Sequence, residues 1–271
     1  MDSDETFNWS DGDVILRCTR GADSRDFRLH KLFLSFASPV FKDMFKLSQP
    51  SASSVAASDI DVVDVIDPPT ILELLLRFIY PCPPPVIDNL ALLTEVLVLA
   101  DKYDVEAARA RLRPSLAEFA KIEPLRVYAI ACRLGLEEEK KTASSYTTSI
   151  DLSTLAQLPD EFKSVSAMEY QRLIRLHARY RKEVIGIATR AVASIPSALG
   201  GAGFYNAVTG GRGPVGSAAH SPIVDCVAKC TPLDYQVFAL TLKRDYAIDP
   251  NSYGHVIRSI IDQAKALRLT V

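Results

Sequence analysis

The chain has almost no net charge. Its 31 Lys and Arg stand against 33 Asp and Glu, a formal balance of −2. Nothing global therefore draws it toward nucleic acid or an anionic membrane surface. Long apolar runs are missing too. The longest uncharged stretch, between Arg190 and Arg212, holds Pro196, two serines and five glycines. It is too polar and too broken to span a bilayer. The acidic start Met1-Asp2-Ser3-Asp4-Glu5 has no apolar core of the kind a signal peptide needs. The expectation is an intracellular protein, cytoplasmic or nuclear, with no membrane partner. Five cysteines without a secretory signal point to free thiols rather than a disulfide framework. No internal repeat is present.

Catalytic patterns are equally scarce. His30 could serve as a base, but no Ser or Cys nucleophile motif surrounds it, so its role reads as structural. Cys226 and Cys230 lie four apart, with His220 and His255 near in sequence. That is not the spacing of a zinc knuckle, and cysteine often fills space as a small buried hydrophobe. Gly211-Arg212-Gly213-Pro214-Val215-Gly216 matches a Gly-x-Gly-x-x-Gly string. It follows no strand, and Pro214 removes a backbone donor, so a loose loop is the better reading. The expectation is a non-enzymatic protein without metal or cofactor.

What is present is ordinary globular material. With 48% hydrophobic and 24% charged residues, a chain of 271 residues can bury one large core or two modest ones. Residues 13–18 read as a strand, Gly21 to Ser24 as a turn, and Phe27 and Leu29 as the inward positions of a second strand in a hairpin. A short helical stretch carries Leu32, Phe33, Leu34 and Phe36. Ser38-Pro39 opens another helix by capping, with Phe41 and Phe45 on one face. Residues 48–58 read as a polar loop. Residues 60–66 read as a third strand, with Ile60, Val62 and Ile66 set against Asp61 and Asp64.

Asp67-Pro68 opens a helix whose expected buried stripe is Ile71, Leu74, Leu75 and Phe78. It stops at Tyr80-Pro81, and Pro83, Pro84 and Pro85 forbid its resumption. Asn89 caps a helix to Tyr103 that is apolar almost all round, the mark of a central element. From Asp104 another runs with Val105, Ala108, Leu112 and Leu116 inward, bent or ended by Pro114. Arg109, Arg111 and Arg113 read as its surface charge.

Beyond residue 121 the pattern is helical. Glu123-Pro124 starts one helix and Gly135 closes it. The block Glu137-Glu138-Glu139-Lys140-Lys141 reads as surface charge. Ser166-Ala167-Met168-Glu169 forms a capping box for a helix over 166–184. Its apolar face is expected at Tyr170, Leu173, Ile174 and His177. Arg172, Arg175, Arg179 and Lys182 make a basic stripe. The stripe reads as a solvated face, with docking of an acidic partner or of nucleic acid as the sharper alternatives. Thr231-Pro232 and Asp249-Pro250 start two more helices. The last carries Tyr253, Val256, Ile257, Ile260, Ile261, Ala264 and Leu267. Seven of the twelve glycines fall in residues 200–216, within a Gly-rich loop at about 196–218.

The N-terminal order of strand, strand, two short helices, strand, helix, long buried helix and helix resembles the BTB/POZ family. The residues that carry the resemblance are Asp13-Val14, His30, Leu34, Ser38, Phe41 and Phe45. The run Leu74-Leu75-Leu76-Arg77-Phe78-Ile79-Tyr80 and the helix end Ala100-Asp101-Lys102-Tyr103 complete it. Residues 124–138 resemble the helical extension of short BTB proteins of mushroom-forming fungi. The resemblance implies an α+β fold: a BTB/POZ-like small sheet with surrounding helices over residues 8–120, then an all-helical extension over 121–271. Val14, His30, Leu34, Ser38, Phe41, Phe45 and Tyr80 would be its structural positions.

The resemblance also implies a protein–protein interaction module that forms a homodimer through its first helix and N-terminal segment, here Trp9, Phe33 and Phe36. A charged pocket at that interface would pair Asp13 with Lys31. The partner it recruits is unknown. A substrate adaptor of a cullin-3 ubiquitin ligase is an alternative. A nucleic-acid-associated regulator using the basic helix is a second. Two departures bear on the adaptor reading. The strand that follows the Tyr in many members is replaced by Pro81-Cys82-Pro83-Pro84-Pro85, and no kelch, MATH or zinc-finger segment is present.

Overall fold

The computed structural model describes residues 7–19, 24–47, 60–152, 155–193, 226–227, 241 and 254–267. The chain divides into two compact units, with the boundary between Phe119 and Ala120. The Gly-rich loop, Thr231-Pro232, Asp249-Pro250, Tyr253, His220 and Cys230 lie outside the described residues.

In the N-terminal unit the sheet has three strands in the order β2-β1-β3. β1 (Val14–Cys18) and β2 (Arg25–Leu29) pair antiparallel, with Leu16 opposite Phe27. β3 (Asp61–Val65) lies parallel to β1, with Leu16 opposite Val63. Alternation places Val14, Leu16, Cys18, Phe27 and Leu29 on the buried face. β3 forms where expected but with the opposite parity. Val65 is buried, whereas Val62 and Ile66 are exposed. A one-residue change of register sends every side chain to the other face, and the pairing with β1 decides it here, not local hydrophobicity.

Among the described residues this unit has five helices: α1 (Lys31–Ala37), α2 (Pro39–Leu47), α3 (Pro69–Ile79), α4 (Leu90–Lys102) and α5 (Glu106–Phe119). Ser38 links three of their ends. Its hydroxyl accepts from the Phe41 N–H at 3.0 Å, capping α2, and donates to the Tyr103 carbonyl at the end of α4. Phe41 stacks on Tyr103 with ring centroids 4.4 Å apart. Tyr103 in turn donates its hydroxyl to Asp67.

Asp67 was expected to cap α3, yet Pro68 is the N-cap and makes no side-chain bond. The Asp67 carboxylate instead takes the Lys102 ammonium at 2.7 Å and the Tyr103 hydroxyl. Burial and this carboxylate push the Tyr103 phenol well above its ordinary pKa. On α3, Leu74 is only half-buried, and Leu72 and Leu76 join Ile71, Leu75 and Phe78 inside. Asn89 caps α4 by accepting the Leu92 N–H at 2.8 Å. Pro114 sits inside α5 without ending it.

The C-terminal unit contains α6 (Pro124–Leu134), α7 (Glu137–Thr147), a 3₁₀ turn (Asp160–Ser164), α8 (Ala167–Ala193) and α9 (Gly254–Ala266). Gly135, in the left-handed region at φ 65°, turns α6 into α7. Helix α8 runs to Ala193, nine residues past the expected end at Val184, and its buried face is rotated. Leu173, Leu176, Val184, Ile187 and Ala188 are buried, while Tyr170 and Ile174 are exposed. The far end of α8 and α9 share a core of Val184, Ile187, Ala188, Ile257, Ile260 and Ala264, joined by Cys226 and Val227. Tyr180 closes it with a hydroxyl bond to the Ala264 carbonyl at 3.2 Å.

Candidate interaction surface

Helix α1 is short, and of its seven residues only Leu34 is buried. Seven residues make two turns, too few to be stable alone, so tertiary contacts must hold the helix. Two of these act at its N-terminus. The Asp13 carboxylate accepts the Lys31 N–H at 2.7 Å, and the Tyr80 hydroxyl accepts the His30 N–H at 2.8 Å. Both satisfy backbone donors that a helix start leaves open. Tyr80 is buried at the end of α3, and burial pushes its phenol up to about 12, so it stays a neutral hydroxyl at any physiological pH.

An aromatic cluster surrounds Tyr80. Phe33 lies 5.1 Å away, Phe7 5.4 Å, and Trp9 stacks on it at 6.3 Å with the planes 10° apart. His30 sits between Trp9 and Phe33, at 6.0 and 5.7 Å, and its Nε2 lies 3.3 Å from the Asp11 carboxylate. The turn that carries Trp9 closes with the Gly12 N–H on the Trp9 carbonyl at 3.0 Å. A Cβ on Gly12 would meet the Leu29 carbonyl oxygen at 2.8 Å, so only glycine permits this approach. Phe7 and Tyr80 are buried, while Trp9 and Phe33 pack on them and are exposed. Phe36, one turn beyond Phe33, is 94% exposed, and Leu32 is 77% exposed. Clustered large apolar groups on one rigid helix mark an interaction site in a way that single exposed ones do not.

The expected charged pocket has a different wiring. Asp13 and Lys31 meet, but through the Lys31 backbone. The Lys31 ammonium pairs with Asp61 of β3. The helix start competes for the Asp13 oxygen, and parallel pairing of β3 beside β1 brings a second carboxylate within reach. Asp61 was missed because nothing local announces which strand lies beside β1. Of the other expected structural positions, Val14, Leu34, Ser38, Phe41 and Tyr80 are buried, and His30 and Phe45 are half-buried. Phe45 stacks on Phe41 at 6.2 Å.

In the C-terminal unit, Arg172, Arg175, Arg179 and Lys182 are all exposed on α8. Arg172 bonds Glu169 at 2.7 Å. The Glu137–Lys141 block is not simply a solvated face. The Lys140 side chain is 7% exposed and pairs with Glu137 at 2.7 Å and Glu169 at 3.5 Å. Burial pulls its pKa down, but the hydrogen bond to Glu137 and the charge of Glu169 outweigh that, and the net shift is upward. Tyr128 adds a hydroxyl bond to the Glu169 carbonyl at 2.9 Å. A lysine inside a charge block carries no sequence mark of burial, which is why this cluster was not foreseen.

Among the described residues, no three His, Cys, Asp or Glu side chains converge as metal ligands. Cys18, Cys82 and Cys132 are free thiols, and burial pushes Cys18 and Cys132 up to about 11. No described helix is long and apolar enough to cross a membrane.

Residues 5–119 match the family model of the BTB/POZ domain. Among curated proteins, the chain is 27% identical over 142 residues to the TD and POZ domain-containing protein 5 of Mus musculus. The alignment covers 52% of this chain and 39% of that protein, so the chain matches well under two thirds of its relative's length.

Proposed function

We propose that the BTB/POZ domain this chain carries at residues 5–119 pairs with a second copy of itself through the face of α1. The domain makes the chain a protein–protein interaction module, and the proposal concerns what it binds. The observation that supports pairing is the exposure of Leu32, Phe33 and Phe36 beside Trp9 on a helix pinned by Asp13 and Tyr80. Apolar surface of this kind gains about 25 cal/mol for each Å² removed from water, and a stable interface covers about 800 Å² on each partner. Fixing the helix beforehand keeps the ordering cost of association low.

Sedimentation or light scattering at micromolar concentration tests this. The parent chain should be a dimer and Phe36→Asp a folded monomer. A strictly monomeric parent ends the reading.

Within this reading the chain works by binding, not catalysis, and the free thiols suit the reducing interior of a cell. The recruited partner is sought among proteins. Adaptor service to a cullin-3 ubiquitin ligase is the more specific version. It rests on the BTB/POZ domain alone, and reciprocal pull-downs with cullin-3 that recover nothing dismiss it. The basic stripe of α8 supports a further contact with an acidic protein or with nucleic acid. A shift assay at low salt that shows no retained RNA or DNA removes the nucleic-acid version.

A further inference from the structure

The segment between α3 and α4 has a chemistry that the α1 face does not use. Among Pro81, Cys82, Pro83, Pro84 and Pro85, only one residue is not proline. Each proline fixes its own φ near about −65° and drives the residue before it into extended or polyproline conformation. Tyr80, which precedes Pro81, has φ −87° and ψ 157°. The Cys82 N–H then bonds the Tyr80 carbonyl at 2.7 Å, a tight turn about Pro81. After it, residues 83–88 form neither helix nor strand.

A polyproline helix has about three residues per turn, so side chains three apart share an edge. Cys82 and Pro85 are half-buried, whereas Pro83, Pro84 and Val86 are exposed, Val86 to 92%. One edge is turned inward, and the edge of Pro83 and Val86, with Pro84 beside it, stands in solvent. Helix α3 has already ended at Tyr80, which is extended ahead of Pro81. The additional rings make a rigid apolar ridge without N–H donors, which a simple connection between two helices does not require.

We propose that Pro83-Pro84-Pro85-Val86 is a docking site for a second protein, one that presents a polyproline-binding groove lined by aromatic side chains. Such grooves take a preformed extended chain and stack its rings on their floor. A run already fixed by proline loses little conformational freedom on binding. Charge narrows the partner. No Lys or Arg lies between Tyr80 and Asn89, and Asp88 is exposed. The fitting groove therefore has no acidic pocket beside its aromatic floor. This surface goes beyond pairing through α1 and needs only the exposed run, so a monomeric chain that binds would end the pairing and keep the ridge.

The full chain is titrated calorimetrically with an EVH1 domain and, separately, with a WW domain. Saturable micromolar binding to at least one, displaced by free oligoproline, is expected. Pro84→Ala and Val86→Asp should each weaken it by about tenfold or more. Val86→Asp is decisive because a side chain this exposed can change without disturbing the core, and its melting temperature should equal that of the parent. No binding to either domain up to about 1 mM overturns the proposal, as does binding that survives Val86→Asp or excess oligoproline.

Discussion

The two units handle the boundary between apolar and polar in opposite ways. The N-terminal unit leaves large apolar side chains outside and concentrates them on α1. The C-terminal unit takes polar groups inside: Glu139, Lys140, Ser144, Thr147 and Thr148 are all buried. Ile122, Met168, Tyr170 and Ile174 of the C-terminal unit are exposed as well, so the contrast is one of degree, greatest at the 94% exposure of Phe36. The buried hydroxyls of the C-terminal unit answer to their own helix: Ser144 donates to the Lys141 carbonyl and Thr147 to the Ser144 carbonyl. A surface meant for another protein must keep apolar groups out on a rigid support. The helical unit, equally rich in apolar residues, adds ion pairs and local hydrogen bonds to its interior.

The comparison is best broken at its firmest point. Phe41→Ala removes a fully buried ring stacked on Tyr103 and should cost about 3–5 kcal/mol, read from urea unfolding. A loss under about 1 kcal/mol would show that the N-terminal core does not hold the face of α1 rigid. In the C-terminal unit, Lys140→Ala should cost about 2 kcal/mol, because the part-exposed Glu137 is screened while Glu169 loses a partner. Lys140→Met keeps the packing and should cost about half of that. Equal losses from the two variants would assign the effect to the lost ion pairs alone.

A pH series sharpens the same contrast. Burial, with Arg181 nearby, pulls the His177 pKa from 6.5 down to about 4, and its Nε2 lies 3.1 Å from the Thr147 hydroxyl. The folded unit therefore holds this imidazole neutral, while the unfolded chain takes up the proton near 6.5. The stability contribution is complete above 6.5 and falls as pH drops toward about 4. In His177→Gln the urea midpoint should lose this part of its acid slope; an unchanged slope would place the titration elsewhere. The smallest effect belongs to Phe36→Ala, which should move the stability of the monomer by no more than about 0.5 kcal/mol, measured in urea at high dilution.

Capping chemistry was the most legible part of the sequence. Ser38, Asn89, Ser166 and the pair Glu123-Pro124 with Gly135 mark real ends, because a cap is settled within four residues. What failed to show was decided at long range. The parity of β3 depends on β1, more than 40 positions earlier, and Asp67 serves Tyr103, 36 residues on. The apolar stripe of α8 was misplaced because Tyr170 and Ile174 look as apolar as Leu176. Along the far half, packing against α9 sets the buried face. On the candidate surface, the aromatic residues of α1 could be read directly. The roles of Tyr80 and Asp61 in fixing it could not.

The Tyr80 hydroxyl reaches the first turn of α1 from 50 positions downstream. During synthesis on a ribosome, Phe33 and Phe36 emerge long before the residue that holds their helix in place. Until then they hang from an unanchored segment that can find wrong neighbours as easily as right ones. Under the proposed pairing, two nascent chains made side by side could not mate correctly through this face before each had grown past α3. A mutation at Tyr80 would thus be felt first as aggregation in the cell and only second as weaker pairing.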